Sequence, residues 1–538
     1  MFAPCSSVCS DSRGIRRLVK GDRGSRTDAV SLRSEFPRKL VHVGMGAFAL
    51  LLRWLTPWQA ILMASAALVL NSFFLHAITR GALLRPPERA SRFSRGVVLY
   101  PAILLLTFIV FRSRLELAAG VWALLAVGDG MATLSGLAFR GPRLPWNHKK
   151  TWSGLVAFVL FGTAASAWVI RWVQRAGTWT VGASFVPGGL LTLGGSDPSG
   201  RIGDAFLPGG PVDAAGAVGT VDALGPVGFP ESLSFLVIGC LVATLVAALA
   251  ESLDTKVDDN IRVPVVGGAV LWAATLVDPG LLGVTGSWMV PWLTGVAIAV
   301  PVTVVAYLTR AVDRGGAMAG MFLATVLYAY AAWPGLVMLG GLLVIGTAVT
   351  RVGYARKEAL GVAEGRRGRK GGRRGIGSIL ANAGAAVTFA FLAVATPYPE
   401  AFTIAMVAAF ATSLFDTTAT EVGQAFGRRA VLVTTWRAVP EGTPGGVSLV
   451  GTLAGVMAAT LLAGAGWAMG LIAGLGALAV IFGAFCGSTL ESFVGAMMGK
   501  GGRADHHLRN LANTVVGAGV AWGLVAWLLY PGGPIELP

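Results

Sequence analysis

Asp129 stands between Gly128 and Gly130 inside an otherwise apolar stretch, and it is the residue whose position most demands a chemical explanation. A carboxylate in a membrane helix costs roughly 2.5–3.5 kcal/mol on insertion scales and marks a functional site by default. Other groups of the same kind lie near the ends of apolar stretches. Lys39 and His42 are three residues apart on one helix face, Asn147, Lys149 and Lys150 sit in a short polar loop, and Glu251 precedes Asp259 and Asn260. Farther on come Asp313, Asn382, Asp416, Glu421, Glu491, Asn510 and Asn513. The segment Gly442, Thr443, Gly445, Gly446 and Ser448 has the makings of a phosphate cradle, with exposed amides beside two hydroxyls. Carboxylates that hold Mg²⁺, cations that offset phosphoryl charge and a carboxylate that orients a hydroxyl are the parts of phosphoryl transfer. Gly495–Lys500 falls one residue short of a Walker A loop and continues with Gly501, so a nucleotide site here is not a P-loop. Neither HExxH nor GxSxG occurs.

The elements that position these residues are membrane helices. The 538 residues are 54% hydrophobic and 13% charged, with a mean hydropathy of +0.68, which excludes a soluble fold. Apolar runs of about 17–25 residues recur from Leu40 to Tyr530, each long enough to span the ~30 Å hydrocarbon layer. They do not alternate as barrel strands would. The expectation is an all-α polytopic membrane protein with about fifteen spans in two consecutive bundles. Among those spans are 40–55, 115–139, 233–250, 317–333, 335–349, 401–415, 469–489 and 512–530. A basic tail at 1–39 precedes one membrane domain at 40–280 and a second at 287–538. The Gly- and Pro-rich stretch at 174–231 reads as a flexible insertion on the non-cytoplasmic side.

The formal charge of +16 reflects 43 Lys and Arg against 27 Asp and Glu. With a cytoplasmic amino terminus, 37 of the 43 cations fall on the cytoplasmic side, together with most of the unusual carboxylates. The charge is therefore an address for membrane lipids rather than for nucleic acid, and a bacterial inner membrane with cytoplasmic active sites is expected. The loop from Arg351 to Arg374 carries nine basic residues and reads equally well as a solvated topogenic loop or a phosphate-binding one. Cys5, Cys9, Cys240 and Cys486 form neither a disulfide framework nor a zinc pattern.

Residues 35–279 resemble the phytol kinase and dolichol kinase family of CTP-dependent lipid kinases. The likeness rests on Arg38, Lys39, His42 and Gly44; on Gly128, Asp129, Gly130 and Ala132; on Leu144, Pro145, Asn147, Lys150 and Gly154; and on Glu251, Asp259, Asn260 and Pro264. Thr151 and Leu155 depart from the usual serines. Residues 287–530 resemble the integral membrane family that includes plant phytyl-phosphate kinase, through Asp313, Asn382, Asp416, Glu421, Gly442, Thr443, Gly445, Gly446, Ser448, Gly451, Glu491, Gly495 and Asn513, with Thr420 and Gly499 as departures. Together the resemblances imply a bifunctional enzyme that converts an isoprenoid alcohol to its monophosphate and then its diphosphate with CTP or another nucleotide. Asp129, Lys150, Glu251, Asp416 and Glu421 would then be catalytic. Lys39, His42, Gly128, Gly130, Asn147, Lys149, the 442–448 segment and Asn513 would bind nucleotide or phosphate. Asp129, Asp259, Asn260, Asp313, Asp416 and Glu491 would hold Mg²⁺. A CTP-dependent phosphatidate cytidylyltransferase (or another lipid kinase) and a transporter are the alternatives. The first would release pyrophosphate instead of CDP, and the second would place its polar residues at the bilayer midplane.

Overall fold

In hydrocarbon a backbone has no partner but itself, so the Ala-, Leu- and Gly-rich runs become helices. The computed structural model describes residues 32–74, 95–139, 141–174, 232–283, 289–359, 361, 373–427, 429–499 and 503–529. The tail up to residue 31, with Cys5 and Cys9, and the insertion from residue 175 to 231 lie outside the described residues. Among the described residues, ten helices are long and apolar enough to cross a membrane, and two shorter apolar ones, Pro57–Phe73 and Gly96–Val110, accompany them. The protein is all-α and polytopic, and its helices group into two compact units.

The first unit takes in the described residues up to Gln174, with Cys240–Ser252 and Asp259–Gly268. It begins with α1 (Leu32–Met45), a 3₁₀ segment (Gly46–Arg53), α2 (Pro57–Val69) and α3 (Arg95–Val110). Next come α4 (Leu115–Ala123), a π-helical turn (Leu124–Gly128) and α5 (Asp129–Phe139). An antiparallel pair, β1 (Arg143–Leu144) and β2 (Asn147–Thr151), leads into α6 (Trp152–Gln174). The greater parts of α7 (Leu233–Ser252) and α8 (Asp259–Leu276) complete the unit. Its core is built on Phe108, Trp122, Leu124, Leu125 and Phe158.

The second unit contains α9 (Pro279–Gly283), α10 (Met289–Leu308), α11 (Arg314–Arg351), the short α12 (Tyr354–Ala359), α13 (Ile376–Ala395) and α14 (Pro399–Phe426). A small antiparallel sheet of β3 (Ala430–Leu432), β4 (Ala438–Val439) and β5 (Gly446–Val447) has the order β4-β3-β5. Then follow α15 (Leu449–Ala468), α16 (Gly474–Met498) and α17 (Arg503–Leu529). The most deeply set of these helices is α14, 83% buried over its apolar stretch, whose Phe410, Leu414 and Phe415 share a core with Met338, Leu462 and Val480 of the surrounding helices.

The fifteen expected spans differ from this arrangement for local reasons. The expected 317–333 and 335–349 spans form one 38-residue element, α11, bent at Ala332 (φ 49°, ψ −150°). Pro334 lacks an amide hydrogen and disfavours the α conformation just before it, which accounts for a bend at this point. The expected 40–55 span divides into α1 and a 3₁₀ segment at Gly46. Spans drawn to end before Asp416, Glu421 and Glu491 are too short, because α14 and α16 run past these residues. Glu421 is paired with Lys357 and Glu491 with Arg509, so helix can continue through them. The expected 115–139 span is present as Leu115–Phe139, continuous through Gly128, Asp129 and Gly130 with a π turn inside it.

Candidate active site

In the first unit, α1 and α5 cross closely enough for the Lys39 ammonium to donate to Asp129 Oδ2 at 2.6 Å. His42, one turn on from Lys39, places Nε2 3.3 Å from the same oxygen and 3.2 Å from the Leu125 carbonyl. Two acceptors face that nitrogen, so Nε2 carries a proton. The π turn, a loosened stretch of helix often found at functional sites, presents the Leu125 carbonyl here. Tyr100 stacks edge-on to the imidazole at 4.9 Å and accepts a hydrogen bond from Trp122. Lys39 and Asp129 are both buried.

The flanking glycines serve this crossing, and this corrects their expected role as phosphate contacts. A Cβ on Gly130 would strike Val43 of α1, and one on Gly128 would lie 3.0 Å from Phe158 of α6. Helix packing fills the space an anion was expected to occupy. Gly130→Ala is therefore expected to push α1 away from Asp129 and destabilise the protein by roughly 1–3 kcal/mol, as overpacking does. Adding Val43→Ala to the same chain should restore the loss. Thermal unfolding of both variants in detergent checks this.

The second part of the site is a strand pinned to a helix end. Asn147 donates to the Ser252 carbonyl at 2.9 Å and accepts from the Lys149 amide at 3.0 Å, and Trp146 donates to the Ser252 hydroxyl at 2.9 Å. Both ends of the Asn147 amide are thus engaged in the protein, so Asn147 positions the strand. In this way Lys150 is delivered to α7, where it meets Glu251 directly and Asp259 at 3.4 Å. Arg262 joins the group, bonding Asp259 and also the Ala250 carbonyl at 2.7 Å. Burial works against the Lys150 charge, but the carboxylates of Glu251 and Asp259, with Asp129 farther off, outweigh it and raise its pKa above the ordinary lysine range. Lys149 is exposed on the strand. Asn260 sits in the first turn of α8, near Gly96.

In the second unit the buried polar residues collect between α13, α14, α16 and α17. Asn382 Oδ1 accepts from Ser413 at 2.9 Å and from Asn510 at 3.3 Å, and Ser488 donates to Asp416 at 3.2 Å. Gly487 and Gly517 permit this, since a Cβ on either would collide with the opposing helices. Asn513 is 2% exposed, and neither its amide nitrogen nor its oxygen has a hydrogen-bond partner. A buried amide in that state costs about 1–3 kcal/mol and asks for a ligand.

Other expected site residues have internal duties. Asp313 caps α11, accepting from the Gly316 amide at 2.8 Å. Ser448 caps α15 through the Gly451 amide at 3.2 Å. Thr443 donates its hydroxyl to the Pro440 carbonyl, and the Gly446 amide bonds the Thr443 carbonyl. Gly442 and Gly445 both have φ near 78°, and Gly445 packs against Ser492 and Ala496 of α16. The 442–448 segment is thus a turn seated on a helix, with the Thr443 hydroxyl and the Gly446 amide bonded inside it.

Among the described residues, no three His, Cys, Asp or Glu side chains form a metal-binding group. The expected metal ligands are dispersed, Asp129 beside Lys39, Asp313 at a cap, Asp416 on Ser488 and Glu491 3.4 Å from Arg509. Mg²⁺ commonly takes only one or two protein carboxylates and completes its shell with water and phosphate oxygens. Glu251 and Asp259, which converge on one ammonium, suit that kind of binding. Sequence reading missed Arg262, Ser252, Ser413, Ser488 and Lys357. Arg262 was open to detection, as a cation at the head of an apolar helix.

The model of integral membrane protein DUF92 matches residues 297–523. An uncharacterized membrane protein of Synechocystis is 40% identical over 207 residues, covering 38% of this chain and 79% of the relative. Protein VTE6 of Arabidopsis thaliana, a chloroplastic protein, is 35% identical over 189 residues, 35% of this chain and 57% of its own. A probable phytol kinase of rice, also chloroplastic, is 23% identical over 192 residues, 33% of this chain and 59% of its own. The chain thus spans little more than half the length of these two plant relatives. No solved structure matches it. With its helical membrane architecture and these relatives, the chain belongs to the DUF92 family of integral membrane proteins.

Proposed function

We propose that the protein is a membrane phosphotransferase that acts on isoprenoid lipids, with the first unit making a monophosphate from an alcohol and the second extending it to the diphosphate. The observation that carries the reading is the pairing of Lys39 with Asp129 and of Lys150 with Glu251 and Asp259 in one unit. The relatives named as phytol kinases support it, as do the resemblances of the two halves. CTP is the proposed donor, and both sites are proposed to open to the cytoplasm.

In the first step the alcohol oxygen attacks the terminal phosphorus of the donor. The bond between that phosphorus and the bridging oxygen breaks, CDP leaves, and the hydroxyl proton departs to Asp129 or to water. The transition state is loose, so positioning and charge matter more than base strength. Asp129, held by Lys39 and His42, orients the hydroxyl. Lys150 turns from its carboxylates to the phosphoryl oxygens, and Arg262 keeps Asp259 in place meanwhile. Bound Mg²⁺, held by Glu251 and Asp259, would supply further charge neutralisation for the phosphates.

The test is an assay of membranes containing the full chain with CTP labelled at the terminal phosphate, Mg²⁺ and phytol or geranylgeraniol. Label is expected in a lipid monophosphate, with unlabelled CDP released. Pyrophosphate release with cytidine carried on the lipid would make the protein a cytidylyltransferase. No labelled lipid from any alcohol would end the kinase reading.

A further inference from the structure

The second unit contains a groove between α10, both arms of α11 and the start of α13. Its cavity volume is about 90 Å³. Ile298 and Val302 of α10, and Leu339 and Leu343 of α11, make its walls apolar. At α13 the lining changes to Arg374, Ser378 and Asn382. The last two are four residues apart and share a helix face. Arg374 is a buried cation whose guanidinium lies against Gly346.

Behind Asn382, hydrogen bonding is incomplete. Asn510 donates to Asn382, but its own side-chain oxygen is buried without a partner. Asn513, one turn along the same helix, has neither amide atom bonded. An apolar trough that ends at a buried guanidinium and the Ser378 hydroxyl fits an amphiphile with a long apolar chain and a compact anionic, hydrogen-bonding head. We propose that this groove binds an isoprenoid monophosphate, with its chain along α10 and α11 and its phosphate at Arg374 and Ser378, while Asn382 holds Ser378 by donating to its carbonyl at 2.7 Å. The proposal rests on the kinase reading, for which this lipid is the second substrate.

Glycine keeps the groove open. Gly320 and Gly340 line it, and a Cβ at either would meet nothing within 4 Å. A leucine there starts from a Cβ with no neighbour within 4 Å and occupies the trough, and in a helix it is favoured over glycine by about 0.5–1 kcal/mol. Gly464 of α15 is equally open but does not line the groove, so Gly464→Leu serves as the control.

The probe is phytyl monophosphate with a diazirine at the far end of its chain, photolysed with the purified full chain in nanodiscs and mapped by peptide mass spectrometry. Label is expected on α10 and α11, with Gly340→Leu and Gly320→Leu each reducing it about tenfold, a change of roughly 1.4 kcal/mol in binding, and Gly464→Leu leaving it unchanged. Arg374→Gln should bring labelling by the phosphate down to that of the corresponding free alcohol. Undiminished label in both groove variants, or equal competition by phosphatidylglycerol, would overturn the proposal, the latter by showing an ordinary lipid crevice. Labelling needs no turnover, so specific label without phosphoryl transfer refutes only the kinase reading. Turnover of phytyl monophosphate with undiminished label in both groove variants refutes only the groove.

Discussion

Asp129→Asn is expected to reduce alcohol phosphorylation by about 10²–10⁴-fold, the usual contribution of a positioned proton-accepting group. The amide keeps the shape of the carboxylate and can still accept from Lys39 and His42, so the loss reports charge and proton affinity rather than a missing contact. A competing explanation is structural. Lys39 is buried, and removing its counter-charge can destabilise a protein by ~3–5 kcal/mol without touching the chemistry. The two are separated by the double variant Asp129→Asn with Lys39→Met, which has neither charge. Its unfolding temperature should return toward wild type while monophosphate formation stays low. A double variant that regains turnover would reduce Asp129 to a packing residue. The readout is labelled monophosphate from the first step, with thermal unfolding measured on the same preparations.

The contrast between Asp129 and its neighbouring glycines shows what kind of information a linear chain carries. A carboxylate in an apolar run announces itself, because its cost is local and independent of the rest of the fold. So did Glu251 and Lys150, each near the end of an apolar run. Gly128 and Gly130 were equally conspicuous but were read as room for an anion, since their partners, Phe158 and Val43, lie far away in sequence. Helix ends failed for a related reason. A charged residue looks like a terminus only while its partner is unknown, and Glu421 and Glu491 have theirs in Lys357 and Arg509. Asn382, Asn510 and Asn513 were visible as polar residues, but their gathering with Ser413 depends on where three helices cross. The helical membrane class was legible because it depends on composition and run length. The inner connections of the site were not, because they depend on crossings.

Some of the cations in the Arg351–Arg374 stretch are not solvated at all, and this leads to the largest expected change in stability. Lys357 is 1% exposed. Its ammonium bonds Glu421 of α14 and the Thr350 carbonyl at 2.6 Å, with the Val349 carbonyl at 3.3 Å, and so ties α12 to α14 and to the end of α11. Glu421→Gln strands that ammonium, and Lys357→Met strands the carboxylate. Each is expected to cost roughly 3–5 kcal/mol, the penalty for an uncompensated buried charge. Lys357→Met with Glu421→Leu removes both charges and should recover most of the loss, since apolar replacements of buried pairs are often neutral or stabilising by ~1–4 kcal/mol. Glu421 was expected to be catalytic, and the same variants decide this. If the pair only tethers α12, the stable double variant should still convert phytyl monophosphate to the diphosphate, whereas Asp416→Asn should let monophosphate accumulate. A double variant that melts like wild type yet makes no diphosphate would return Glu421 to the chemistry. Single variants that unfold like wild type would show instead that the pair contributes nothing to stability.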